Sequence, residues 1–111
     1  MKIPPDAMIS PEKLRRYLLV PLARNDKSGF LARAGFTLAN PSELEAAIRT
    51  LCNSVDAIED GTHQYGTDYI VTGELVGPNG VALRVVLVWV QRSDGEFRFV
   101  TLKPPRRKAL P

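Results

Sequence analysis

Residues 81–91 are rich in valine, contain the longest apolar run of the chain, Val85 to Val90, and are closed at both ends by turn signals. A β-branched, nearly continuous apolar run of this length predicts a central strand. Before it stands Gly77-Pro78-Asn79-Gly80, in which proline fixes φ and Asn-Gly tolerates positive φ. After it stands Ser93-Asp94-Gly95, a second hairpin turn. The flanking segments 68–76 and 96–102 are therefore its expected partners. In the first of these, Tyr69, Val71, Gly73 and Leu75 alternate with Ile70, Thr72 and Glu74. A weaker strand is expected at 55–59. Connections this short favour sequential antiparallel pairing, a β-meander.

The first half reads as helix. Ser10-Pro11 opens a helix that carries Leu14, Tyr17 and Leu18 at helical spacing and is stopped by Pro21. A second short helix is expected at 27–34, with Asp26 as cap, Phe30, Leu31 and Ala34 on its apolar side, and Gly35 ending it. Asn40-Pro41-Ser42-Glu43 reads as a variant capping box, followed by the buried stripe Leu44, Ala47, Ile48 and Leu51. Helices before strands, in separate blocks, predict an α+β domain. Its expected form is about three N-terminal helices on one face of a four-stranded antiparallel meander, with the other face open. The domain is expected over 1–103, with 104–111 as a basic flexible tail. Trp89, in the most apolar strand, is expected to anchor the core against the helices.

Composition narrows the chemistry. The chain of 111 residues has one cysteine, Cys52, and one histidine, His63. An internal disulfide is thereby excluded, and the residues for a Cys/His zinc site are lacking. Cys52, at a helix end, reads as a small core residue. No phosphate-binding loop, dinucleotide glycine motif or nucleophile elbow is present. No cofactor or metal is expected. The apolar run is too short to span a bilayer, and the N-terminus shows no signal-peptide pattern, so a cytoplasmic protein without membrane contact is expected. The net charge of +3 is uneven. Seven basic and three acidic groups give +4 over residues 1–40, residues 41–60 carry −4, residues 61–102 carry −1, and 103–111 add +4. Two positive zones suit contact with a polyanion, although a solvated basic surface produces the same pattern.

A metal-free polar set remains: Lys27, His63, Tyr65, Arg84, Arg98 and Thr101. Cleaving RNA without a metal needs a base for the 2′-hydroxyl, an acid for the leaving oxygen, and cations for the phosphate charge. Each residue also has an ordinary role open to it: loop histidine, edge tyrosine, salt-bridged arginine, solvated lysine. Lys27 at a helix start opposes the helix dipole, which adds weight to a functional role. Arg84 lies in an apolar strand and needs water or a partner. Arg98 and Thr101 have opposite parity and share a face only if a β-bulge intervenes.

The chain resembles a bacterial domain-of-unknown-function family over about residues 3–104. The resemblance rests on Ile3-Pro4, Ile9, Lys13-Leu14, Tyr17-Leu18-Leu19, Pro21, Lys27, Phe30 and Gly35-Phe36 in the first half. In the second half it rests on Tyr65-Gly66, the Tyr69-to-Leu75 alternation, Gly77-Pro78-Asn79-Gly80, Val88-Trp89, Arg98-Phe99-Val100-Thr101 and Pro104. Members of that family occur alone and at the C-terminus of toxin-like and phage proteins, and the family is similar to the barnase–EndoU–colicin–RelE ribonuclease toxins. The resemblance implies a metal-independent endoribonuclease toxin acting on RNA, neutralised by a small cognate antitoxin or immunity protein. It also implies site roles for Lys27, Arg98 and Thr101. The chain departs from the family's pattern at Lys103, where an aromatic residue often stands, and at Val81, where a basic one is expected. Two other readings stay open: a non-catalytic protein-interaction module, and an antitoxin or immunity protein.

Overall fold

The computed structural model describes residues 1–24 and 26–105. Its sheet has four antiparallel strands in sequential order: β1 (Ile58–His63), β2 (Gly66–Val76), β3 (Ala82–Gln91) and β4 (Phe97–Lys103). The helical half is smaller than expected. It comprises a π-helical segment (Lys13–Leu18), α1 (Ser28–Ala32) and α2 (Pro41–Ser54). Of the expected tail, residues 106–111 lie outside the described residues.

Period-two alternation builds the sheet's inner face. Val71, Gly73 and Leu75 on β2, Leu83, Val85, Leu87 and Trp89 on β3, and Phe97 and Phe99 on β4 are all buried. They form one core with Leu14, Leu18, Leu31, Phe36, Leu44, Ile48 and Leu51 from the first half. Trp89 is 1% exposed. Its ring meets Phe99 edge-on, with centroids 5.4 Å apart. A side chain at Gly73 would put a Cβ 2.7 Å from Leu51 Cδ1, so glycine at this position lets α2 lie close on β2.

Several local expectations are corrected. The first helix widens to π geometry, with the Leu19 N–H reaching the Leu14 carbonyl at 3.0 Å. Leu14, Leu18 and Leu19 turn inward, whereas Tyr17 faces out. The second helix has five residues, Ser28–Ala32, and Asp26 instead forms a turn by accepting from the Ser28 N–H at 2.9 Å and Oγ at 2.7 Å. Those two bonds hold the Asp26 carboxyl below the usual carboxylate range. Asn40 makes no side-chain cap on α2. Its amide closes the preceding loop, accepting from the Thr37 N–H at 2.8 Å and donating to the Gly35 carbonyl at 3.0 Å. The first strand begins at Ile58, not at 55. All six of its residues are exposed, so main-chain pairing with β2, not an apolar pattern, makes it a strand.

The Gly77-Pro78-Asn79-Gly80 turn is a structural clamp. Asn79 donates to the Arg33 carbonyl at 3.1 Å, and its side-chain oxygen accepts from the Val81 N–H at 3.0 Å. Gly77 lies so close to Ala34 that a Cβ there would overlap the Ala34 carbonyl. The turn therefore docks the β2–β3 hairpin onto the chain leaving α1.

Before the π-helical segment the chain runs along the outer edge of β4. The Met8 N–H bonds the Phe97 carbonyl at 3.0 Å, and Met8 forms an isolated parallel bridge with Arg98. Arg49 of α2 ties this segment down through the Pro5 and Ala7 carbonyls, at 3.0 and 3.1 Å. Covering β4 in this way protects an otherwise open sheet edge and brings the first half alongside the outer face of the sheet.

Candidate functional site

The outer face is built from the alternate positions of the strands. Thr72 pairs with Val86 and Val86 with Lys103; Ile58 pairs with Ile70, Ile70 with Val88 and Val88 with Thr101; Asp68 pairs with Val90 and Val90 with Arg98. A bulge in β4 makes this arrangement possible. Trp89 pairs with Phe99 while Val88 pairs with Thr101, leaving Val100 as the extra residue. The bulge reverses the parity of the strand. Phe97 and Phe99 point inward before it and Leu102 points inward after it, so Thr101 and Lys103 emerge on the same face as Arg98.

A bulge also leaves a main-chain group outside the regular ladder. Here the Val100 carbonyl accepts from Lys13 Nζ at 2.9 Å. Lys13 comes from the π-helical segment, whose Leu14 and Leu18 are held in the core. Tyr17 lies between two cations, its ring centroid 5.7 Å from Lys13 Nζ and 5.6 Å from Lys27 Nζ. Lys27, directly before α1, donates to Thr101 Oγ1 at 3.0 Å.

Lys27 thus contacts Thr101, Lys13 contacts the neighbouring Val100 carbonyl, and Lys103 leaves the same face of β4 near enough for its charge to act on Lys27. The Lys27 ammonium is half-buried, and desolvation lowers its pKa first; the charges of Lys103 and Lys13 lower it further. Lys13 and Lys27 bring two ammonium groups to the β4 bulge, and ammonium donors of this kind can bond an oxyanion.

The residues singled out in the sequence separate into three places. Lys27 and Thr101 touch. Arg98 is on the same face one ladder step away, about 7 Å along the strand, with its Nε bonded to Glu96 Oε1 at 2.6 Å. Arg84 is exposed opposite Glu74, two ladder steps beyond the Val88–Thr101 pair, about 13 Å away by strand rise. His63 and Tyr65 lie at the β1–β2 hairpin. His63 Nδ1 accepts the Tyr65 N–H at 3.1 Å, which leaves the ring proton on Nε2, 2.8 Å from Asp68 Oδ1. Both ring nitrogens are engaged in holding the turn. Cys52 is buried, and burial pushes its thiol up to about 11.

Sequence reasoning missed Lys13, Tyr17 and Lys103 as members of the site. Lys13 and Tyr17 are four residues apart, so a helical reading places them on one face. Lys103 carries no such signal, because its direction depends on the bulge. Tyr17 stands beside Lys27 from another part of the chain.

Residues 5–106 match the sequence model of the family described as Domain of unknown function (DUF6883). Comparison with proteins of curated function gives no match. Among solved structures, a chain of the contact-dependent growth inhibition toxin–immunity protein complex from Klebsiella pneumoniae 342 is similar in fold. The TM-score is 0.63 and the identity 21%, over 86% of this chain and 97% of that one. No helix among the described residues is long and apolar enough to cross a membrane.

Proposed function

The chain belongs to the DUF6883 family, and from the lysine cluster on this scaffold we propose that it is a toxin domain that cleaves RNA without a metal and is restrained by a small cognate immunity protein. The observation that carries the reading is the Lys27 bond to Thr101 inside a three-lysine cluster. In RNA cleavage of this type the 2′-hydroxyl gives its proton to water acting as base and its oxygen attacks the adjacent phosphorus, the bond from phosphorus to the 5′-oxygen breaks as that oxygen takes a proton, and a cyclic phosphate and a 5′-hydroxyl result. Negative charge grows on the phosphate, and fixed cations in a partly dry site stabilise it. Lys13, Lys27 and Lys103 supply that charge. The lowered Lys27 pKa brings its proton nearer the range useful for transfer to the leaving oxygen. Thr101 orients a phosphate oxygen, and Arg98 holds the neighbouring part of the backbone with its planar fork.

The toxin–immunity complex that shares the fold fits a toxin or an immunity role alike, and the basic charge of this chain favours an anionic target over an anionic mimic. The similarity to the barnase–EndoU–colicin–RelE group is part of the same proposal. A second reading, a non-catalytic interaction module, is favoured by Ile58, which is 66% exposed on the edge strand β1. Induced expression in bacteria with RNA profiling separates the two. The toxin reading expects growth arrest and new RNA ends with the wild type, and neither with Lys27→Ala or Thr101→Ala. Intact RNA in cells that accumulate folded wild-type protein would overturn it.

A further inference from the structure

A second feature of the outer face lies beyond the lysine cluster. Gln64 and Tyr65 at the tip of the β1–β2 hairpin, with Val90, Arg92, Ser93 and Arg98 on the β3–β4 side, enclose a cleft of about 260 Å³. The cleft is half-open and has room for one planar ring system. We infer that this cleft is a subsite for the unpaired base of a nucleotide whose phosphate lies on the lysine cluster. This inference rests on the proposed RNA-directed reading.

The chemistry of the lining supports a base over a bare anion or an apolar side chain. Tyr65 is 72% exposed at a turn that does not need an aromatic residue. Its ring is nevertheless positioned. The His63–Asp68 pair fixes the turn from below, the Tyr65 N–H bonds to His63 Nδ1, and the two rings meet edge-on at 5.9 Å. At Gly66 a Cβ would overlap the Gln91 carbonyl, so glycine lets the hairpin tip lie directly against the end of β3. The result is a hairpin tip fixed in its backbone that presents an aromatic ring with an open face, the usual platform for an unstacked base.

Val90 forms the apolar floor. Arg98 is pinned through Nε by Glu96, and its guanidinium makes no other hydrogen bond among the described residues. A planar cation held this way can stack on a ring or read its edge. The Gln64 amide brings both a donor and an acceptor. Arg98 is one ladder step, about 7 Å, from the level of Thr101, so a single nucleotide can span from this cleft to the lysine cluster. Base-paired RNA hides its ring faces, so the substrate class is single-stranded or looped RNA.

The test uses a fluorescein-labelled single-stranded oligoribonucleotide with 2′-O-methyl sugars, which cannot be cleaved, and an abasic strand of the same length. Binding is followed by anisotropy. Tyr65→Ala should weaken the base-bearing strand about 5- to 150-fold and leave the abasic strand unchanged, while Tyr65→Phe should bind like wild type. Lys27→Ala should weaken both strands. Equal affinity of Tyr65→Ala and wild type for the base-bearing strand would overturn the subsite, as would equal losses on both strands or a wild type that binds neither. The failures are distinguishable. Tyr65-dependent binding with no cleavage of natural RNA removes the ribonuclease reading and leaves the subsite, and cleavage unaffected by Tyr65→Ala removes the subsite alone.

Discussion

The two faces of one sheet follow different rules. On the inner face, side chains alternate without interruption along β2 and β3, and Val71, Leu75, Leu83, Val85, Leu87 and Trp89 are all buried. The outer face begins with the same alternation and then breaks it at Val100, where the bulge swings Thr101 and Lys103 round to join Arg98. The inner face is stabilised by the regular pattern. The outer face owes the grouping of Thr101 and Lys103 with Arg98 to the bulge in β4, and its further cations to Lys13 and Lys27 brought there by the helical half. Stability and site thus share strands but not side chains, so substitutions should divide accordingly.

The largest effect is expected at Trp89. Trp89→Ala empties the centre of the inner face and should cost about 3–5 kcal/mol in denaturant unfolding. A loss below about 1 kcal/mol would show that the inner face does not depend on this ring. Gly77→Ala comes next. Its methyl has no room beside the Ala34 carbonyl, and the hairpin must shift from its seat, at about 1–3 kcal/mol.

Lys27 should show the smallest effect on stability. Lys27→Met gives up the Thr101 bond but relieves repulsion, so unfolding free energy should change by less than about 1 kcal/mol. The pH dependence is more telling. A lysine whose folded pKa is lowered costs stability in full below that folded value, and the cost fades as pH rises toward the ordinary lysine value of 10.5. Melting curves from neutral pH to 10.5 should therefore show a small alkaline gain in wild type that Lys27→Met lacks. The same gain in both proteins would place the effect elsewhere.

The contrast between the faces also explains what the sequence disclosed. The hairpins around residues 81–91 were legible because turn chemistry and period-two alternation agree there. β1 begins later than the sequence predicts because its exposed residues carry no pattern, and its pairing is made by the main chain. The start of α2 at Pro41 after Asn40 was legible, whereas the Asn40 side chain closes the preceding loop in place of bonding the helix. Lys27 and Thr101 were both visible as candidates, and Thr101 shares a face with Arg98 through the bulge that the opposite parity of Arg98 and Thr101 demanded. Lys13 and Lys103 were not visible as members, because their convergence depends on the chain wrapping the β4 edge, a tertiary arrangement that no local period encodes. Gly77-Pro78-Asn79-Gly80, the strongest turn signal, belongs to the scaffold and not to the site.

The most direct test of the central claim is cleavage of bulk cellular RNA by the purified domain in the presence of a chelator, with thermal melts of every protein run in parallel. Wild type should cut RNA with the chelator present, leaving cyclic phosphate ends. Lys27→Ala and Thr101→Ala should lose at least about 100-fold in rate, the range of one proton-transfer or charge-stabilising group, while melting like wild type. Cleavage by a Lys27→Ala, Arg98→Ala double variant at the wild-type rate would contradict the account, as would cleavage that the chelator abolishes.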